Sequence, residues 1–174
     1  MTGFGDPAQG RPAVVTRTER PRTPTLELEL ERERRGWYEL VGLIRGLTLE
    51  ERLEPGYAHD WTVRDVVAHL GTWLTLAEVQ LERMHGGSYE GHDVDADELD
   101  ASFHAAMRDQ PWEVAWVVLN AGRTRMLGAC STLGYEGEEP AWWIRTSGGD
   151  QYDKHLARLR DWAAELVERR STPP

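Results

Sequence analysis

The sequence predicts an all-α protein, an antiparallel four-helix bundle with two long loops. Over four long segments, apolar residues recur at spacings of three and four, which is the period of an α-helix. The strict alternation typical of strands is nearly absent, and stretches rich in Gly, Pro and acidic residues separate the segments. Helices that each present one apolar stripe bury it most economically against one another, which favours a bundle.

The ends of the chain differ in composition from the rest. Residues 1–24 are rich in Gly, Pro, Thr and Arg and show no apolar periodicity, so they are predicted to form a disordered N-terminal tail. Residues 25–170 form the predicted bundle domain. Residues 171–174 form a short C-terminal tail.

The first helix is predicted to run from Thr25 to Gly46. Its second half has the helical spacing i, i+3, i+4, i+7, at Trp37, Leu40, Val41 and Ile44. Its first half, LELELERERR, alternates Leu and Glu as a strand would. The sequence offers no partner strand, which favours a charged helix.

The second helix is predicted to begin after Trp61. Thr62 followed by Asp65 approximates a capping box, the usual signal of a helix N-terminus. The apolar face of this helix comprises Val66, Leu70, Trp73, Ala77, Leu81 and Met84. The stretch HGGSYEGHDVDADELD then predicts a long acidic loop that leads into a short helix around Leu99 to Arg108.

Two further helices complete the predicted bundle. Pro111 is typical of a helix start and opens the third helix, from Trp112 to about Leu133. The stretch GYEGEEPAWWIRTSGG, residues 134–149, is predicted to be an irregular connection. The fourth helix is predicted from Asp150 to about Arg170.

Composition excludes several classes of partner. The formal charge is −10, and nucleic-acid binding depends on clustered Lys and Arg, which the predicted domain lacks. No segment approaches the run of about 18 apolar residues expected of a membrane-spanning helix. Cys130 is the single cysteine, so no internal disulfide can form. These features favour a cytoplasmic protein.

His69 lies on the apolar face of the second helix, and a buried imidazole needs a partner. On the fourth helix, Gln151 and His155 are four residues apart and therefore share a face, roughly 6 Å apart along the axis. Facing helices of a bundle can pool such groups around one metal ion. A histidine on an apolar face is more often a hydrogen-bonded core residue, so spacing alone leaves both interpretations open.

Two motifs resemble those of a known family. The stretch WTVRDVVAHLGTW is similar to the signature of the DinB-like superfamily, which includes the mycothiol-dependent maleylpyruvate isomerases. The stretches DQYDKHLARLRDW and DELDASFHAAMRDQPWEV resemble the last helix and the middle of the ClbS/DfsB branch. The resemblance covers roughly Leu26 to Leu166.

The resemblance implies a site for a divalent metal such as Zn, Ni or Fe. The first and last metal-binding histidines of the family fall on His69 and His155, and the middle ligand falls on Gln151. Many members have a histidine there, and the maleylpyruvate isomerases have a glutamate. A neutral amide oxygen binds such ions less strongly than either.

The resemblance also implies the function. It predicts a metal-dependent hydrolase or thiol transferase acting in detoxification or resistance, with a low-molecular-weight thiol as a possible cofactor and a homodimer as the assembly. Two alternatives are a non-catalytic protein that sequesters a small molecule without metal, and a structural protein whose histidines are satisfied in the core. Residues predicted to contribute to the pocket wall or mouth are Trp73, Trp142, Trp143, Trp162 and His59.

Overall fold

The computed structural model describes residues 24–58, 60–91, 94–132 and 138–171. Four long helices dominate the fold, as predicted. They are α1 (Pro24–Arg45), α3 (Val63–Gly86), α5 (Trp112–Thr132) and α7 (Asp150–Ser171). Three shorter helices lie between them, namely α2 (Leu49–Leu53), α4 (Ala96–Met107) and α6 (Glu139–Ile144). The described residues contain no strand, which confirms the predicted all-α class.

Capping residues fix where the helices that carry the site begin. The side chain of Thr62 accepts a hydrogen bond from the backbone N–H of Asp65, and the Asp65 carboxylate accepts one from the Thr62 backbone. This capping box starts α3 at Val63, so the prediction from sequence is confirmed. A second capping box, between Thr48 and Glu51, starts the short α2, which the apolar periodicity did not predict.

Helices α3 and α5 form the most extensive helix pair in the core. Gly71 permits their close approach, because a Cβ at this position would lie 2.6 Å from the backbone nitrogen of Leu119. The apolar stripe of α3 is buried, including Trp73 and Leu81, except at its last residue, Met84, which is partly buried. The Leu/Glu half of α1 is helical, as favoured, and it buries Glu33 completely beside Tyr152 of α7.

The prediction of an irregular connection over residues 134–149 is wrong for the described residues 138–149. Helix α6 begins at Glu139 and continues through a π-helical turn, Arg145–Gly149, directly into α7. Pro140 occupies the first turn, where proline is tolerated, and Trp143 is fully buried. The Gly and Ser residues indicated a loop, but burial of this segment against α1 overrides that local preference.

One predicted boundary shifts by a few residues, and others fall outside the described residues. The short helix predicted at Leu99 begins earlier, because Asp95 caps the backbone at residues 97 and 98. Most of the predicted N-terminal tail and the last three residues lie outside the described residues. Within the described ranges, no helix is both long and apolar enough to cross a membrane.

Candidate functional site

The structure brings the two motif histidines together. His69 lies two turns into α3, and His155 lies in the second turn of α7. Their ring centroids are 5.1 Å apart, and the ring planes meet at 71°. Both side chains are buried, with exposed fractions of 1% for His69 and 8% for His155.

Gln151 lies one turn before His155 on the same face of α7. Its Oε1 atom is 3.2 Å from Nε2 of His69, so the side chain bridges α7 to α3. The neighbouring Asp150 faces α1 instead, and its Oδ1 accepts a hydrogen bond of 2.7 Å from Arg32. The π-turn immediately before α7 sets this register, since an added residue rotates a helix by about 100°.

Tyr57 orients the imidazole of His155. The Tyr57 hydroxyl lies 3.1 Å from the backbone carbonyl of His155 and 3.0 Å from its Nδ1. A carbonyl can only accept, so the single hydroxyl proton is donated to it, and the hydroxyl oxygen accepts from Nδ1–H. The lone pair of His155 is thereby placed on Nε2, which is buried and has no hydrogen-bond partner.

A tight turn at Gly56 positions Tyr57 beside His155. Gly56 has φ of 126°, a conformation that side chains disfavour, and a Cβ there would lie 2.8 Å from the ring of Trp162. Arg158 of α7 donates to the backbone carbonyls of Gly56 and Tyr57. Burial raises the pKa of Tyr57 to about 12, so the hydroxyl keeps its proton at neutral pH.

Burial also keeps both histidines uncharged at neutral pH. It lowers the pKa of His155 to about 3, and the nearby His69 contributes in the same direction. Burial likewise lowers the pKa of His69, although Asp100 opposes that shift. Two neutral imidazoles side by side offer nitrogen lone pairs to a metal ion or to a ligand donor.

Helix α4 supplies another wall of the site. Asp100 accepts hydrogen bonds of 2.8 Å from Trp73 Nε1 and from Lys154 Nζ, and its Oδ1 lies 3.5 Å from His69 Nε2. Burial alone would raise the pKa of Asp100, but the bonds from Lys154 and Trp73 outweigh it and lower that pKa. Asp100 is therefore a carboxylate at neutral pH. One turn further along α4, the His104 ring stacks on the ring of Trp61 at 4.5 Å and 8°.

These groups enclose a cavity of about 480 Å³. This volume lies within the range of about 300–1,000 Å³ that is usual for small-molecule sites. The wall combines aromatic rings, the two neutral imidazoles and a few charged groups. It includes Tyr57, Trp61, His69, Asp100, Lys154 and His155.

The tryptophans predicted for the pocket lie elsewhere, although Trp73 supports the site from behind. Trp73 is fully buried and holds Asp100. Trp143 is also fully buried and packs edge to face against the half-buried Trp142. Trp162 lies near both Arg158 and Arg169, beside the Gly56 turn. The fifth predicted residue, His59, lies outside the described residues.

Five residues that border the cavity were not predicted from the sequence as site residues. Trp61 stood in the quoted motif as the residue before the cap, where it gave no sign of a binding role. Asp100 and His104 are four residues apart and could have been recognised as one face of α4. Tyr57 and Lys154 had no signal beyond Lys154 being the sole lysine of the chain.

The donor atoms at the centre of the site determine whether it can hold a metal ion. The described residues contain no group of three or more His, Cys, Asp or Glu side chains arranged to hold one. The predicted set has two imidazoles and an amide. The 3.2 Å between His69 Nε2 and Gln151 Oε1 is close to the separation of about 3.3 Å between neighbouring ligands of a tetrahedral ion. The unpartnered Nε2 of His155 is the third donor atom of the predicted set.

Comparison with known proteins identifies the family. Residues 34–167 match the family model of the mycothiol maleylpyruvate isomerase N-terminal domain. The chain belongs to this family. The match confirms the resemblance to the DinB-like superfamily, in which this domain is placed. The ClbS/DfsB branch remains a prediction.

A comparison of this maleylpyruvate isomerase-type domain with solved structures shows the fold alone. Its structure is similar to the crystal structure of an uncharacterised protein from Escherichia coli UTI89, with a TM-score of 0.67 and 16% sequence identity. The alignment covers 85% of this chain and 96% of that chain. No curated protein matches the sequence.

Proposed function

We propose that this protein chemically modifies a small molecule in the cavity between α3, α4 and α7, with a divalent metal ion held by His69, Gln151 and His155. The reaction is hydrolysis or transfer to a low-molecular-weight thiol, in detoxification or resistance. The family model supports this class, since it is named after an isomerase that uses mycothiol.

The observation that carries the proposal is the unpaired ring nitrogen Nε2 of His155. This atom is buried, holds a lone pair and has no hydrogen-bond partner. An unsatisfied buried polar atom costs about 1–3 kcal/mol, so its retention needs a reason. A metal ion or a ligand donor at this atom would supply that reason.

The residues around His155 have distinct roles in this proposal. Tyr57 holds Nδ1–H, which orients the ring and presents Nε2 to the cavity. In the metal-free protein, Oε1 of Gln151 accepts a hydrogen bond from Nε2–H of His69, which holds the two donor atoms side by side. A metal ion bound to both atoms would displace that proton. The rings of Tyr57 and Trp61 exclude water from one side. A bound divalent ion supplies Lewis acidity, which makes water or a thiol more acidic and polarises a substrate carbonyl.

Calorimetric titration of chelator-treated protein with Zn²⁺ and Ni²⁺ tests the metal. The wild type should bind one ion, and His69→Ala and His155→Ala should bind none. Gln151→His should bind about tenfold more tightly or better, because imidazole replaces an amide oxygen. His85→Ala, which removes an exposed histidine at the end of α3, is the matched control and should bind as the wild type does. Stoichiometric metal in His69→Ala would show that the assignment is wrong.

The second candidate function is sequestration of a small molecule without metal. It is favoured by the direct contact between Gln151 and His69, in which Oε1 of Gln151 already accepts a hydrogen bond from Nε2–H of His69. Under this alternative the wild type binds neither ion, and Gln151→His has no effect on metal affinity. Ligand binding would then still depend on His155.

A further inference from the structure

The charge of the cavity wall is opposite in sign to that of the whole protein. The chain carries a formal charge of −10. Among the residues that border the cavity, Lys154 and Arg158 are cations and Asp100 is a carboxylate. The wall therefore has one more positive charge than negative charge in a strongly acidic protein.

Lys154 is the cation that can reach a ligand. The guanidinium of Arg158 is committed to the carbonyls of Gly56 and Tyr57 and to the carboxylate of Glu165. Lys154 makes one described hydrogen bond, to Asp100, and an ammonium group has three donors. Its side chain is 56% exposed, so it lies at the rim of the cavity, where a bound molecule could meet it.

Asp100 competes with a ligand for this lysine, but it can lose the lysine without being left unpaired. Its Oδ1 is already held by the indole N–H of Trp73 at 2.8 Å, while Lys154 bonds to Oδ2. If Lys154 turns toward a ligand anion, Asp100 keeps the bond from Trp73 and remains partly exposed to water. The exchange of one anionic partner for another at Lys154 leaves no buried charge unpaired.

The remainder of the wall is largely apolar. Trp61 and Tyr57 contribute aromatic rings, and Ala58 and Ala101 contribute methyl groups. Trp61 is the centre of this surface, since its ring stacks on His104 and also contacts His69 edge to face at 5.5 Å. Such walls bind the apolar body of a ligand, while a few polar groups fix its orientation.

From these features we infer that the cavity selects an organic anion with an aromatic or otherwise apolar body, whose negative group binds Lys154 and whose body packs on Trp61. This inference rests on the proposed function in one respect, because it names the ligand class of the same cavity. It requires no metal for recognition. The binding of an anion is therefore measurable in metal-free protein.

Two dyes that share a ring system provide the test. 1-Anilinonaphthalene-8-sulfonate is anionic, and N-phenyl-1-naphthylamine lacks the sulfonate. Dissociation constants are measured by fluorescence titration in EDTA. Lys154→Met should weaken binding of the sulfonate about fivefold and leave binding of the uncharged dye unchanged. Asp100→Asn should strengthen sulfonate binding, because it releases Lys154 and removes a negative charge.

Two further variants complete the design. Arg160→Gln is the matched control, because it also removes a cation from α7, where Arg160 pairs with Glu39 outside the cavity. It should change neither dissociation constant. Trp61→Ala should weaken the binding of both dyes. The inference is overturned if Lys154→Met affects both dyes equally or neither, or if Trp61→Ala leaves both bound as tightly as before.

The two proposals can fail separately. Discrimination between the dyes in EDTA supports the anion site even if calorimetry shows that no metal binds. If His69→Ala loses metal binding but Lys154→Met changes the dissociation constants of both dyes equally, the metal site is retained and the anion site is rejected.

Discussion

Acid should destabilise the metal-free protein through His155. Burial lowers the pKa of this imidazole to about 3, whereas an unfolded chain has a histidine pKa near 6.5. Below pH 6.5 the His155 imidazole is therefore protonated in the unfolded state but stays neutral in the folded state. The stability that His155 contributes is complete above the unfolded pKa and is lost progressively as the pH falls toward 3.

The expected loss follows from linkage. Between pH 7 and pH 5, His155 alone should lower the free energy of unfolding by about 2 kcal/mol. The figure depends mainly on the unfolded pKa, because any folded pKa below about 4 leaves the ring almost wholly neutral at pH 5. His69 should add to the loss, since burial lowers its pKa as well.

Urea denaturation in EDTA at several pH values measures this dependence, and the chelator removes competition between protons and metal. His155→Asn is the informative variant, because its amide N–H can replace Nδ1–H as the donor to Tyr57 but does not titrate. It should lose about 2 kcal/mol less than the wild type over this range. His85→Asn, at an exposed position on α3, should behave as the wild type. Equal pH dependence in His155→Asn and the wild type would refute the reasoning.

Two further predictions concern the packing that supports the site. Gly71→Ala should lower the free energy of unfolding by about 2 kcal/mol, because its Cβ would lie 2.6 Å from the backbone nitrogen of Leu119. Gly128→Ala on α5 meets open space and should raise it by about 0.5–1 kcal/mol, so opposite signs in urea denaturation check the pair. Arg123→Met should cost about 3 kcal/mol, because it removes two hydrogen bonds of 2.7 and 3.0 Å from the fully buried carboxylate of Glu33. Adding Glu33→Gln to that variant should recover part of the loss, and no recovery would contradict the assignment.

Local signals in the sequence were sufficient to predict the four long helices. The capping box at Thr62 fixed the start of α3, and helical periodicity identified its buried face. These features depend on residues within one or two turns of each other, so a single sequence reveals them. The same locality explains the error at Glu139, where glycines and serine indicated a loop and packing against α1 decided otherwise.

The candidate site was predictable only in part. The sequence placed Gln151 and His155 on one face of α7 because their spacing of four is a property of the helix itself. The resemblance to the family, and not spacing, joined His69 to them. The structure brings the three together, with Gln151 Oε1 3.2 Å from His69 Nε2.

What the sequence determined alone was the all-α class, the capped helix that carries His69, and the helical face that carries Gln151 and His155. The tertiary structure decided which other side chains surround them. Tyr57 contacts His155, which lies 98 residues away in the sequence, and Lys154 binds Asp100, which lies 54 residues away. Contacts at such separations depend on how helices pack, and no local pattern encodes them. Packing also leaves Nε2 of His155 buried and without a partner in a cavity, the feature on which the proposed function depends.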